Sequence, residues 1–235
     1  MSLKSSAVDA ATSTMISLIG SLADNKGALG RRYGEWAVSA PTIESAVAAA
    51  AMAQDELGHA RATYPVLAKL GVSRDDEGLE AGYPLPVIAR ELPDWASFIA
   101  ANLVVDGILT TFVATARDSS IEPLAQRARK ILQEEGTHRV HAEAWLRRIG
   151  RTGGSDLDLL IQRIGEMWAQ ASRWPGPDGH PGYQEAIARG MVIEGPAAIR
   201  RRVREWLLAL SDGVGARVAL DEPADWDGWD EVHRR

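Results

Sequence analysis

The chain contains no cysteine, only two phenylalanines and four tyrosines, and no long block of basic residues. Without thiols, disulfide bonds and thiolate-ligated metal sites are excluded. The net charge is -6, and the short arginine-rich run, Arg200 to Arg204, is the one basic block that stands out, which argues against nucleic acid as the main partner. That run lies in a predicted helix. We find neither an N-terminal signal segment nor an apolar run of roughly 18 residues. The sequence therefore predicts a cytoplasmic protein without a membrane partner.

What the sequence has in quantity is apolar residues, which make up 46% of 235 positions and recur at three- and four-residue spacing. That period is typical of α-helices that bury one face. Glycine, proline and polar clusters divide the pattern, and a long acidic loop at 72–92 separates two pairs of long helices. The predicted helices cover about 6–37, 43–71, 94–117, 121–150, 156–173, 183–193 and 196–212.

Two segments, 56–59 and 135–138, carry the same signature Glu-x-x-His. At about 100° per residue, an α-helix places the Glu and the His of such a pair on one face. In ferritin-like di-metal bundles, two helices each supply a Glu-x-x-His pair and the other two each supply a carboxylate. The repeated signature therefore predicts an all-α, ferritin-like four-helix bundle.

We expect the whole chain, 1–235, to form a single ferritin-like domain. The bundle core would occupy 6–150, accessory helices 155–212 and an irregular tail 213–235. Trp226 and Trp229 lie in that tail among acidic residues. Tryptophans rarely stay fully solvated, so we expect the tail to dock onto the bundle or onto a partner.

Ionisable side chains lie on the apolar stripes of the second, third and fourth predicted helices. Charges belong on such stripes only when they are paired or bind a metal. A set of carboxylates and imidazoles suits iron or manganese, because carboxylates balance the charge of the ions and imidazoles leave room for oxygen to bind. The predicted metal ligands are Glu56, His59, Asp106, Glu135 and His138. We predict no catalytic residue beyond these ligands.

One position departs from the expected ligand set. Asp106 precedes Glu135 by 29 residues, so a first hairpin built alike would place the partner of Glu56 near position 26 or 27. Lys26 occupies that position. Three interpretations stay open: Lys26 replaces the metal by salt bridges with the carboxylates, a single metal is held by Asp106, Glu135 and His138, or two metals bind with Lys26 swung aside.

Segments 36–42 (WAVSAPT) and 54–59 (QDELGH) resemble the catalytic subunit of bacterial phenylacetyl-CoA epoxidase, whereas 24–36 is similar to its non-catalytic, ferritin-like partner subunit. The resemblance covers most of 20–150. It implies that Lys26 stands where the catalytic subunit has a glutamate and Met52 where it has an active-site lysine. The ligand positions that it implies are filled here by Glu56, His59, Asp106, Glu135 and His138.

This resemblance implies a subunit of a multicomponent monooxygenase in phenylacetate catabolism, paired with a homologous ferritin-like subunit. An acyl-CoA would be the substrate, and a separate reductase would supply electrons, because the chain has no flavin or nicotinamide fingerprint. One hypothesis is an oxygen-activating subunit with one or two irons, in which Glu135 bridges or chelates. The alternatives are a metal-free scaffold with Lys26 in the site, and a ferritin-like protein that stores iron or removes peroxide.

Overall fold

The computed structural model describes residues 9–72 and 82–235, which form an all-α, ferritin-like bundle. The start of the first predicted helix, at 6–8, and most of the predicted loop, at 73–81, lie outside the described residues. The described helices are α1 (Ala10–Trp36), α2 (Ile43–Lys69), α3 (Pro86–Ala89), α4 (Trp95–Ala100), α5 (Gly107–Thr115), α6 (Glu122–Thr152), α7 (Ser155–Ala171), α8 (Pro181–Ala188) and α9 (Pro196–Asp212).

The four long helices of the bundle are paired as two hairpins. In the first, α1 packs along α2, and the connecting turn ends where Thr42 Oγ1 accepts a hydrogen bond from Ser45 N at 3.2 Å. Gly30 lets the two helices approach closely, because a Cβ there would lie 2.7 Å from Leu57 Cγ. In the second hairpin, α5 packs against α6, which also contacts α2. The two hairpins thereby enclose one common core.

The third bundle helix is interrupted, whereas the sequence predicts one continuous α-helix there. A π-helical segment, Ala101–Asp106, lies between α4 and α5, and all six of its residues are buried. The wider turn of a π segment changes the direction of the side chains that follow it, and such segments often occur at functional sites. Its last residue, Asp106, reaches the buried cluster described below.

By length and composition alone, the same helix is apolar enough to cross a membrane. Trp95–Thr115 has a mean hydropathy of 1.7 over an 18-residue window, so the expectation of no such run was wrong. In the folded chain, however, 78% of that window is buried inside the protein. Burial of this extent is typical of the core helix of a globular bundle.

Two local expectations differ from the structure. The helix predicted over 183–193 is α8, Pro181–Ala188, and Gly190 follows it with a φ of +67°, in the left-handed region that ends helices. Within the predicted loop at 72–92, proline at the first helical position favours the single turn α3, which buries Ile88. Neither difference moves a predicted site residue.

The C-terminal helices cover the outside of the bundle, and the tail packs on them. α7 lies against α4 and the π segment, α8 against α1, and α9 against α5. The described tail, 213–235, has no helix beyond Asp212, and its Trp229 Nε1 donates to the backbone oxygen of Arg173 at 3.2 Å. The guanidinium of Arg234 is buried and donates to the carbonyl oxygens of Trp174 at 2.8 Å and Pro175 at 2.6 Å.

Truncation of this buried arginine should destabilise the protein. We expect Arg234→Ala to lower the free energy of unfolding by about 2–3 kcal/mol, because two buried carbonyl oxygens lose their charged donor. Arg235→Ala is the matched control, since Arg235 is exposed, and should change stability by less than about 0.5 kcal/mol. Urea unfolding followed by circular dichroism measures both. Equal effects of the two substitutions would show that Arg234 does not anchor the tail.

Candidate functional site

A buried lysine lies at the centre of the bundle, in contact with one carboxylate from each of the other three bundle helices. Lys26 Nζ donates to Glu56 Oε1 at 3.0 Å, to Asp106 Oδ1 at 2.6 Å and to Glu135 Oε1. An ammonium has three protons to donate, and each finds a carboxylate oxygen. All four side chains are at most 3% exposed. The expected layer of ligands therefore exists, and Lys26 lies inside it.

The two histidines complete this layer, three residues after Glu56 and Glu135. His138 Nδ1 lies 3.4 Å from Glu56 Oε1, 3.5 Å from Asp106 Oδ2 and 3.4 Å from Glu135 Oε2. His59 Nδ1 lies 3.2 Å from Glu135 Oε1 and 3.8 Å from Glu56 Oε2. We call the six residues the ionic cluster: Lys26, Glu56, His59, Asp106, Glu135 and His138.

The outer nitrogens of the two imidazoles contact carboxylates that the sequence analysis missed. His59 Nε2 is 2.8 Å from Glu134 Oε2, and His138 Nε2 is 3.2 Å from Asp55 Oδ2. Each contact crosses between α2 and α6, and both carboxylates are partly exposed. A signal was present in the sequence, because an acidic residue precedes the glutamate of each Glu-x-x-His pair. Each imidazole thus joins a buried carboxylate to a surface carboxylate.

The pKa values follow from burial and from these contacts. Burial opposes charge on Lys26, but the carboxylates outweigh it and hold the lysine pKa well above its usual value. Burial likewise opposes the charged form of Glu135, yet Lys26 and the histidines keep that pKa well below the usual range. Burial also dominates at Asp106 and, with repulsion from Glu135 and Glu56, raises its pKa to about 6.

Both imidazoles of the cluster favour the protonated form. Burial lowers the pKa of His59, but contacts with Glu135 and Glu56 outweigh it and raise that pKa to about 9. Burial also lowers the pKa of His138, but contacts with Asp106, Glu135 and Glu56 outweigh it and hold that pKa well above its usual value. At a pH above the pKa of Asp106 and below that of His59, three carboxylates therefore face one ammonium and two imidazoliums. The ionic cluster is electrically neutral without a metal ion.

A di-metal centre does not fit this arrangement of donors. The Lys26 ammonium contacts the three carboxylates that two metal ions would need, and α1 supplies this lysine rather than a fourth carboxylate at that level. Metal binding also requires neutral imidazoles, whereas the surrounding carboxylates raise the pKa values of both histidines of the cluster. A single ion fits by distance alone, since one ligand atom from each of Glu56, Asp106, Glu135 and His138 lies within 4.8 Å of the others.

Three other buried residues lie near the ionic cluster without belonging to it. Tyr33 is buried two helical turns from Lys26 on the same face of α1, and its hydroxyl has no hydrogen-bond partner among the described residues. Burial, together with the negative charges of the cluster, raises the pKa of Tyr33 well above its usual value. Met52 Sδ accepts from Asn102 Nδ2 at 3.3 Å. Asp24 points away from the cluster and accepts from the Tyr64 hydroxyl at 2.7 Å.

A cavity of about 570 Å³ borders the ionic cluster on the side of α5, α6 and α9. Its volume is typical of small-molecule pockets. Asp106 and Glu135 form part of its wall beside Gly136, whose position leaves open space because an added Cβ would meet no atom within 4 Å. Arg139 and Arg202 also line it. Two carboxylates of the buried cluster therefore form part of the wall of a cavity large enough for a small molecule.

Comparison with known proteins identifies related sequences. A family model described as "Phenylacetic acid catabolic protein" matches residues 1–235. A curated relative, one of the subunits of the 1,2-phenylacetyl-CoA epoxidase of Escherichia coli (strain K12), is 27% identical over 153 residues, which are 63% of this chain. The match covers 62% of that relative, less than two thirds of its length.

Removing the lysine should leave buried negative charge without compensation. We expect Lys26→Met to lower the free energy of unfolding at neutral pH by about 3–5 kcal/mol, the cost typical of a broken buried ion pair. The deficit should shrink in acid, because protonation of the carboxylates relieves their repulsion. Lys69→Met, at the exposed end of α2, is the matched control and should have little effect. A loss no greater than that of the control would refute the central role of Lys26.

Alkaline pH should weaken the folded state through the two histidines. An unfolded histidine releases its proton near pH 6.5, whereas folded His59 holds it to about pH 9 and His138 holds it further. Stability from both is complete below about pH 6.5 and is lost as pH rises, by about 1.4 kcal/mol per pH unit for each proton. Denaturant unfolding between about pH 7 and 9 measures this slope.

Two variants separate the cluster from other histidines. His59→Asn should roughly halve the slope, because one of the two retained protons is lost. His141→Asn should leave it unchanged, because burial lowers the pKa of His141, which is neutral in this window in both states. A stability that does not change across this alkaline range in the unaltered protein would show that the imidazoles are not held as cations.

Proposed function

The chain belongs to the phenylacetic acid catabolic protein family, and from that premise we propose that it is a metal-free, non-catalytic ferritin-like subunit of a phenylacetyl-CoA epoxidase-type enzyme. One observation carries the proposal: Lys26 Nζ contacts Glu56, Asp106 and Glu135 at once, in the place where the fold would hold metal ions. A cation fixed by three buried carboxylates competes directly with any metal for the same oxygen atoms.

The charge balance of the cluster supports the same role. Two divalent ions bound by four carboxylates and two neutral imidazoles form a neutral site. Here one ammonium and two imidazoliums balance three carboxylates, so neutrality is reached by protonation instead. The arrangement keeps four helices joined through their polar core without any ion to load or lose.

The proposal implies other subunits that supply the chemistry. The relative in Escherichia coli is named as part of an epoxidase with more than one kind of chain, which supports assembly with further proteins. In our proposal a homologous ferritin-like subunit binds iron and acts on an acyl-CoA, and a separate reductase supplies electrons. The present protein, folded as one domain over 1–235 in the cytoplasm, would stabilise that assembly.

An oxygenase with a single iron is the second candidate, and the geometry of Glu56, Asp106, Glu135 and His138 favours it. Iron bound there would supply oxygen activation, and the adjoining cavity of about 570 Å³ would admit a small substrate. This candidate requires Lys26 to leave its three carboxylates and His138 to release its proton. Both requirements oppose the contacts described above, so we rank it second.

Metal content decides between the two candidates. Protein purified from iron-supplemented cells should contain far less than one metal ion per chain by elemental analysis. Lys26→Glu restores a fourth carboxylate and should bind Fe²⁺ or Mn²⁺, with a melting temperature that rises on metal addition. Lys26→Met removes the ammonium but adds no ligand, so it separates loss of the lysine from gain of a donor.

The contrary result is equally specific. Stoichiometric iron in the unaltered protein, together with oxygen consumption when a reductase is added, would overturn the metal-free proposal in favour of the oxygenase. A melting temperature of Lys26→Glu that metal leaves unchanged would show that Lys26 is not what excludes the ion.

A further inference from the structure

The outward side of α2 is unusually apolar for a solvent-exposed helix. Residues that share this side at helical spacing are exposed, and the largest, Ile43 and Val47, are 74% and 64% exposed. The stripe is uncharged over about 21 Å between Val47 and its charged end at Arg61, and Glu44 flanks its other end. We call this stripe the α2 face: Ile43, Val47, Ala50, Ala51, Gln54 and Gly58.

The neighbouring bundle helix has a different exterior. Exposed side chains of α6 include Arg129, Lys130, Arg139 and Arg147, all more than half exposed. The surface of α6 thus carries many charges, whereas the outermost positions in the middle of α2 carry none; Asp55, at the edge of the α2 face, is partly exposed. Contiguous exposed apolar side chains bordered by charges are typical of protein–protein contacts.

We propose that the α2 face binds the α2 face of a second copy of this chain, with the two helices antiparallel. One register pairs the exposed valine with the open glycine and the two charged ends with each other. It places Val47 opposite Gly58 of the second copy, Ala51 opposite Gln54, and Glu44 opposite Arg61. All three pairs are centred on the same point in the middle of α2, so one two-fold axis relates them. Such an interface is self-complementary and closed.

Shape supports this register at its apolar positions. A Cβ added at Gly58 would meet no atom of its own chain within 4 Å, so the position is open to a side chain from outside. Val47 projects from its helix far enough to enter that space. The small side chains of Ala50 and Ala51, near the axis, let two helices approach to the roughly 8–10 Å that is usual for packed helices.

Charge decides the direction of the pair. Glu44 and Arg61 are both exposed, one at each end of the α2 face. In an antiparallel pair each glutamate lies near the arginine of the other copy, which gives two ion pairs at the rim. A parallel pair would place like charges together at both ends, which is unfavourable. The occupant whose charges match this face end for end is therefore a second copy in reverse direction.

Cysteine cross-linking tests the pairing and its register. The chain has no cysteine of its own, so introduced thiols report only on the positions chosen. The double variant Val47→Cys/Gly58→Cys should form a covalent dimer on mild oxidation, because the two positions face each other across the axis. Within one chain they are about 16 Å apart along the helix, too far for an internal disulfide.

The two single variants are the matched controls. In the antiparallel register each single cysteine is displaced by about 16 Å from its equivalent in the second copy, so neither should cross-link. A parallel pair would cross-link both singles and would overturn the proposal. Failure of the double variant to cross-link would overturn it as well.

Mass measurements test the dimer without cysteines. By light scattering, the unaltered protein should have twice the 25.4 kDa mass of the chain. Ala51→Glu and Ala51→Lys should each be monomeric, and mixing them should restore dimers, which shows that both fold. Ala188→Glu, at an exposed helical alanine of α8, should stay dimeric.

The results that would refute the α2 pairing differ from those that would refute the proposed function. An unaltered protein that stays monomeric alone, or pairs only with a chain of different sequence, would refute the α2 pairing. Metal content does not enter this test, so the dimer and the metal-free site can fail separately.

Discussion

The contact between Lys26 and three buried carboxylates is the interaction on which the rest of the bundle depends. One ammonium joins α1 to α2, to the π segment and to α6. The charged groups are buried there, so they cannot be solvated by water instead. Burying such charges is costly, and only close pairing with satisfied donors repays that cost. The lysine therefore constrains every helix of the bundle to one relative position, as a metal ion would.

The two histidines of the cluster are needed to balance the charge of the three carboxylates. If Lys26 had merely displaced a metal, three carboxylates would face one positive charge, and the excess negative charge would be unfavourable in a buried site. The carboxylates hold the protons of His59 and His138, and these two cations remove the excess. Residues that look like retained metal ligands thus have a second physical reason to be present, and a histidine count alone does not distinguish the two.

Much of this site could be predicted from residue spacing. The two Glu-x-x-His pairs and the 29-residue interval from Asp106 to Glu135 predicted the level at which Lys26 lies. Asp55 and Glu134 were missed because each pairs with the histidine of the other helix, a contact that depends on how α2 and α6 pack. The π segment was also missed, since its sequence is as apolar as that of a regular α-helix.

The two sides of α2 together show how one helix serves both roles that we propose. Its inner side contributes Glu56 and His59 to the ionic cluster, where charge is dense and fully paired. Its outer side carries no charge between Val47 and Gly58 at the outermost positions, although solvent would tolerate charge there. A helix that only covered a core would have uncharged side chains inside and charged ones along its exterior. The two charged residues inside α2 and the uncharged outermost positions outside it both follow if the interior replaces a metal site and the exterior is itself buried by another chain.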